Sequence, residues 1–314
     1  VIRIHGRGTP AERALAAGAP RRRFLTRSLG MLLAASAFML PSRRGWSEGT
    51  ATATTPTPDL PGAGLDLSNS SAPIEIEADD GIEWRRDDKV YIARGNALAR
   101  RGDLQVNADE LRAFYRESAK NSSDIYRVTA EGNVLLTSSN DKIWGDKAVY
   151  DLDQGSLIVT GQNLRAQTKK QTVTARDSLE YWQKQLAMVA RGDAMVVEAD
   201  RRVKADLLTG YFRKGADGKT ELYQLEAKGH VRIWRGEDYA QAATAVYNLD
   251  SDVATLDGSV KITRGQNQLN GDRAEFDMRT GVSRLLGQPG TGSRVHTLIF
   301  PDQGQTPGSN PPAP

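Results

Sequence analysis

From Ala93 to Phe276, apolar and polar residues alternate along the chain. Val128, Ala130, Gly132, Val134 and Leu136 share one parity, as do Leu225, Ala227, Gly229, Val231 and Ile233, and again Ala254, Leu256, Gly258, Val260 and Ile262. The positions between them, such as Glu131, Asn133, Lys228, His230 and Lys261, are polar. A period of two over spans of this length predicts strands with one buried and one solvated face. Asp153-Gln154-Gly155, Asp217-Gly218, Asp250-Ser251-Asp252 and Arg279-Thr280-Gly281 supply turns where those strands should end. The pattern puts the glycines on the apolar face, where a missing side chain admits another backbone, a bend or a ligand.

The alternating segments are copies of one unit. Aligned on Gly95, Gly132, Gly161, Gly192, Gly229 and Gly258, each copy carries a small residue further on (Ala108, Gly145, Ala175, Ala205, Ala242, Gly271) and then an aromatic (Phe114, Tyr150, Tyr181, Tyr211, Tyr247, Phe276). Six copies of a unit of roughly 30–37 residues predict stacked supersecondary elements, none able to bury its apolar face alone. Ile74–Ala78 with Trp84 reads as an opening half-unit. Hydrophilic insertions near Glu117–Asp124 and Lys214–Thr220 recur in matching places, which suggests one internal duplication at a larger scale.

The ends differ from this body. Residues 1–47 hold a basic stretch, Arg21-Arg22-Arg23-Phe24-Leu25-Thr26-Arg27, ahead of the apolar run Leu29–Leu40, the layout of an export signal on the general secretory or twin-arginine route. Residues 48–72 form a Thr/Pro/Ser/Gly linker, 73–286 the repeat domain, and 287–314 a Pro/Gly-rich tail in which Val295–Phe300 offers one further strand. A net charge of +3 lies largely in the leader, so the body is near neutral and nucleic acid is not the expected partner. Cysteine is absent, which removes disulfides, zinc-thiolate sites and thiol catalysis.

Catalytic groups do not converge. His5, His230 and His296 are the only histidines, and neither a phosphate-cradling loop nor a nucleophile elbow occurs. An enzyme is not expected, nor a cofactor or metal. Asp109, Asp146, Asp206 and Asp272 form a lane, interrupted at Arg176 and Ala243, that reads as solvated or cap-like carboxylates. The apolar face carries the stronger signal: Val128, Val134, Leu136, Met188, Val196, Leu225, Val231, Ile233, Val260 and Ile262 point inward from successive strands. They line either a dry core or a continuous apolar channel. The alanines at the same level (Ala93, Ala97, Ala130, Ala190, Ala194, Ala227) fill space less completely than leucine would.

Ala130-Glu131-Gly132-Asn133-Val134, followed by Gly145-Asp146-Lys147-Ala148-Val149-Tyr150-Asp151, resembles the repeat of the OstA-like family of periplasmic lipopolysaccharide-transport proteins, over roughly Ile74 to Leu286. An LptA-type member fits best, with a longer array than usual, a basic leader and a Pro-rich tail. The resemblance implies an all-β, repetitive antiparallel β-jellyroll bent into an open, taco-like trough. It also implies a non-enzymatic, lipid-binding bridge in the periplasm for carriage from inner to outer membrane. The ten inward residues would line the trough around lipid A acyl chains. LptC-like and LptD-like partners would join through edge strands at the Ile74–Glu77 and Arg273–Leu286 ends, in a head-to-tail oligomer. At about 0.8 kcal/mol per buried methylene, a twelve-carbon chain is held out of water by on the order of 10 kcal/mol. The competing expectation is a scaffold of the cell envelope with a dry core.

Overall fold

The computed structural model describes residues 74–117, 124–215, 220–287 and 294–299. The leader, the linker and both hydrophilic insertions fall wholly or largely outside those residues. The regular elements within them are all strands. A first rung is split into β1 (Glu75–Glu77) and β2 (Gly81–Arg85), followed by the long strands β3 (Val90–Arg101), β4 (Leu104–Arg116), β5 (Asp124–Thr137) and β6 (Lys142–Asp151). Two more split rungs come next, β7 (Ser156–Thr160) with β8 (Leu164–Gln167), and β9 (Gln171–Ala175) with β10 (Ser178–Trp182). Then come β11 (Ala187–Glu198), β12 (Arg201–Lys214), β13 (Thr220–Arg235), β14 (Asp238–Asn248), β15 (Val253–Arg264) and β16 (Asn267–Asp277), and a last split rung of β17 (Val282–Leu286) and β18 (His296–Leu298).

Each rung pairs antiparallel with the rung before and the rung after. The split strands keep this order, β7 pairing with β10 and β8 with β9. The whole is one meander, with β1 and β2 against β3 at one end and β17 and β18 against β16 at the other. Val295–Phe300, offered by the sequence as a further strand, does supply β18, whose Leu298 lies opposite Gln268.

A repeated irregularity folds the meander over. On β5, Glu131 pairs with Lys147 and Val134 with Gly145, so Gly132 and Asn133 together oppose Asp146 alone. Two residues against one make a β-bulge, which bends its strand. Gly132 and Asn133 are both left-handed, with φ of 77° and 46°. The same left-handed pair recurs at Gly95-Asn96, Gly192-Asp193, Gly229-His230 and Gly258-Ser259. The bends therefore lie in register across the sheet and divide each long strand into two arms. Both arms then face one interior: Val128 and Leu136, from opposite arms of β5, border the same cavity, and so do Leu225 and Ile233 of β13.

Packing is close beside this crease. Val134, Val231 and Val260, each two residues past a bend glycine, are 1% exposed, and Ala97 and Ala194 at the equivalent place are fully buried. Burying a valine of this kind contributes on the order of 1.5–3 kcal/mol.

The duplication inferred from the insertions holds throughout the strands. β3 and β11 begin at Val90 and Ala187, 97 residues apart. Arg116 bonds Asp153 in the first half as Arg213 bonds Asp250 in the second, again 97 residues on at both ends. One unit is thus six rungs, or three of the sequence copies, and β16 opens a third unit. The two main apolar clusters, one from Ala93 to Ala194 and one from Ala205 to Phe276, divide between β11 and β12 and so do not coincide with the unit boundary before β9.

Candidate functional site

Two features of the folded sheet bear on function, its interior and its ends. The glycines placed on the apolar face by the alternation are not there. At Gly132 a Cβ would run into the Asp109 carboxylate of the neighbouring strand, and Asn133 Nδ2 donates to that carboxylate at 2.9 Å. Gly229 meets Asp206 in the same way, and His230 Nδ1 lies 2.8 Å from Asp206 Oδ2. The bulge turns Gly132 out at the corner while Ala130 and Val134 on either side of it keep the same parity and stay buried, so the missing side chain faces an aspartate on the outer corner.

The aspartate lane is correspondingly corrected. Its corner members are Asp80, Asp109, Asp146, Asp177 and Asp206, each pressed against a bend glycine. The gap in β9/β10 shifts the position from Arg176 to Asp177, which the sequence spacing missed. Ala243 against Gly258 is a true break, and Asp272 is not among the corner carboxylates. No group of three or more His, Asp or Glu among the described residues is arranged to hold a metal ion.

Between the described strands lie a cavity of about 100 Å³ toward the N-terminal end and one of about 140 Å³ toward the C-terminal end, the second lined from Ile143 to Leu256. Leu157 of β7 borders both. Of the ten inward residues, Val128 and Leu136 line the first cavity, and Met188, Val196, Leu225 and Ile233 the second. Val134, Val231 and Val260 line neither and are sealed in the crease, and Ile262 packs on the C-terminal cluster. The sequence pattern gave no means of separating crease from cavity, because both have the same parity.

The recurring aromatics occupy different settings. Tyr247 is buried, its hydroxyl donates to Asp252 at 2.6 Å, and burial together with that bond raises its pKa far above the usual value. Tyr150, 97 residues earlier, borders the N-terminal cavity, where burial also raises its pKa against the opposing charge of Arg101.

Among the described residues the ends of the sheet are open: β1 and β2 pair only with β3, and β17 and β18 only with β16. All seven large hydrophobic side chains that stand exposed among the described residues, Ile82, Trp84, Val282, Leu286, Val295, Leu298 and Ile299, belong to these two ends. The duplication shows what such an end looks like when covered. β2 corresponds to β10, on which β7 lies; Ile82 is 53% exposed, and its counterpart Leu179 is 8% exposed. Glu83 corresponds to Glu180. Hydrogen bonds from Arg85 and Arg94 hold Glu83 down to about 2 at the free edge. At Glu180, burial opposes ionisation, but bonds from Arg191 (2.6 Å), Ser178 (2.7 Å) and Trp182 (2.8 Å) outweigh it and keep the carboxyl below its ordinary range.

Comparison with known proteins agrees with this division. The family model described as LptA/(LptD N-terminal domain) LPS transport protein matches residues 75–186 and again residues 172–282, its two starts 97 residues apart. None of the curated proteins compared with the chain matches it. Among solved structures, the crystal structure of LptH, the LptA-homologous periplasmic component of the lipopolysaccharide transport device from Pseudomonas aeruginosa, is similar at 11% identity. That match covers 73% of this chain and 96% of that chain with a TM-score of 0.19, too low to superpose the two architectures. Since the two consecutive family matches run from residue 75 to residue 282 of 314, the chain belongs to the LptA/LptD N-terminal domain family of lipopolysaccharide-transport proteins.

Proposed function

We propose that the chain is a non-enzymatic periplasmic bridge that carries lipopolysaccharide by holding its acyl chains between the two arms of the folded sheet. The observation that carries this reading is that single strands line one apolar cavity from both arms, as β5 does with Val128 and Leu136. The two cavities follow one another along the strand order, with Leu157 bordering both, and the bridge reading has the arms part there to join them. Moving the lipid along it avoids exposing the chains to water, at about 0.8 kcal/mol per methylene.

The open ends support a bridge over a closed carrier. An unpaired sheet edge templates another strand, and the β7–β10 pairing inside the chain is a built example of that joint. LptC-like and LptD-like partners, or a second copy head to tail, would meet the Ile82/Trp84 edge and the Val282/Leu298 edge. Head-to-tail contact extends as a filament. The basic and apolar leader would deliver the chain to the periplasm.

The dry-core scaffold is favoured by one observation, the sealing of Val134, Val231 and Val260 in the crease. Displacement of a fluorescent apolar probe from the purified protein by lipopolysaccharide separates the two. Saturable displacement, weakened by Met188→Asp in a variant that keeps its β-sheet circular dichroism, is the bridge result. Absence of any probe uptake is the scaffold result.

A further inference from the structure

The two cavities occupy corresponding places in the two units, yet their rims carry different charge. Arg100, Arg101 and Arg112 border the N-terminal cavity. Arg100 is held by Glu77 at 2.9 Å and Arg112 by Glu110 at 2.5 Å. Arg101 ends β3 at the turn into β4, opposite Leu104, on the lip of the fold away from the crease. Its Nε is buried with no hydrogen-bond partner among the described residues. The carboxylate of the same turn, Asp103, accepts from Ser139 instead. Ninety-seven residues later the position is Glu198, which borders the C-terminal cavity together with Arg201, Glu180 and Glu226.

A buried guanidinium N–H without an acceptor is costly, and a bound anion removes that cost with a charge-assisted bond. Below Arg101 the wall is aliphatic: Ile76, Leu104, Val106 and Leu136. A group that satisfies both is an anionic head on an alkyl chain.

We infer that Arg101 forms an anion subsite at the lip of the N-terminal cavity, taking the phosphate monoester or carboxylate of an amphiphile whose chain lies along that wall, and that the C-terminal cavity lacks such a subsite. This rests on the trough reading. It makes the two halves unequal stations: the first selects for the charged head, and the second holds the chain alone. Arginine suits the role because its planar fork meets a phosphate or carboxylate with two parallel bonds.

The test uses the full-length exported chain with dodecyl phosphate, 1-dodecanol and inorganic phosphate as probes, each titrated against a fluorescent apolar reporter. The wild-type protein is expected to bind dodecyl phosphate roughly tenfold or more tightly than dodecanol. Arg101→Gln is expected to abolish that preference and leave dodecanol binding unchanged, which also serves as the folding control. An unchanged preference in Arg101→Gln overturns the subsite and leaves the trough standing. Binding of neither amphiphile by the wild type overturns both. Competition by inorganic phosphate at concentrations equal to dodecyl phosphate overturns the amphiphile assignment in favour of a free-anion site. If Arg101→Gln loses both amphiphiles, Glu198→Arg is read in its place: a doubled stoichiometry for dodecyl phosphate supports the subsite, and no change overturns it.

Discussion

The Asp109 carboxylate of β4 occupies the space that a Cβ on Gly132 of β5 would need. This single relationship, repeated along the sheet, sets where the strands bend, and so where the interior lies. The glycine supplies both the left-handed φ and the vacancy, the aspartate fills it, and the next residue ties the corner, as Asn133 does.

Gly132→Ala therefore meets two penalties, backbone strain and a clash with Asp109, whereas Gly102→Ala in the β3–β4 turn, with open space around it, meets strain alone. The expected losses are about 1 kcal/mol for Gly102→Ala and about 2–4 kcal/mol for Gly132→Ala. Urea denaturation of the two variants checks the difference, and equal midpoints would refute the corner.

Ala243 breaks the aspartate lane opposite Gly258 and Ser259. The five other corners accommodate aspartate, so Ala243→Asp should fit and gain a hydrogen bond from Ser259. A stabilisation of about 0.5–1.5 kcal/mol is expected. A fall in thermal midpoint would show that this corner differs in shape from the others.

Ile82 and Leu179 are counterparts on a free and a covered strand. Ile82→Asp should change stability by less than about 0.5 kcal/mol, while Leu179→Asp buries an unpaired charge and should cost about 3 kcal/mol or more. If the free edge is a joint, Ile82→Asp also reduces the sedimentation coefficient of any self-associated form. A large loss of monomer stability in Ile82→Asp would contradict the pairing of the two positions.

Glu180 has a depressed pKa in the folded chain, so its stabilising contribution is complete above the unfolded carboxyl value of about 4.3 and is lost as pH falls through the folded value. Glu180→Gln should cost about 1–3 kcal/mol at pH 7. The gap between wild type and variant should close on acidification below about pH 4. A gap constant from pH 7 to pH 3 would show that the loss is packing rather than charge.

Much of this molecule was legible in its sequence, for a physical reason. Period-two alternation reports strands directly, and the glycine landmarks marked copies that each became two rungs. The parity argument failed at the glycines themselves, because a bulge adds a residue without altering composition; Gly132 reads as inward and lies on the corner. Asp80 and Asp177 escaped for a simpler reason: Asp80 precedes the first landmark glycine, and Asp177 sits one residue beyond the position that the spacing picks out, Arg176. Parity also could not rank the inward residues. Val134 and Leu136 look alike in the pattern, yet one seals the crease and the other borders a cavity, a distinction made by distance from the bend. Arg101 was missed because its importance lies in what fails to pair with it.

The most direct test of lipid carriage is photo-crosslinking in cells, with a photoreactive residue at Leu225, which borders the C-terminal cavity, and at Arg232, which faces solvent on the same strand. The bridge requires lipopolysaccharide adducts at Leu225 and none at Arg232. Adducts of equal yield at both positions, or none at Leu225 in a folded and exported protein, would contradict it.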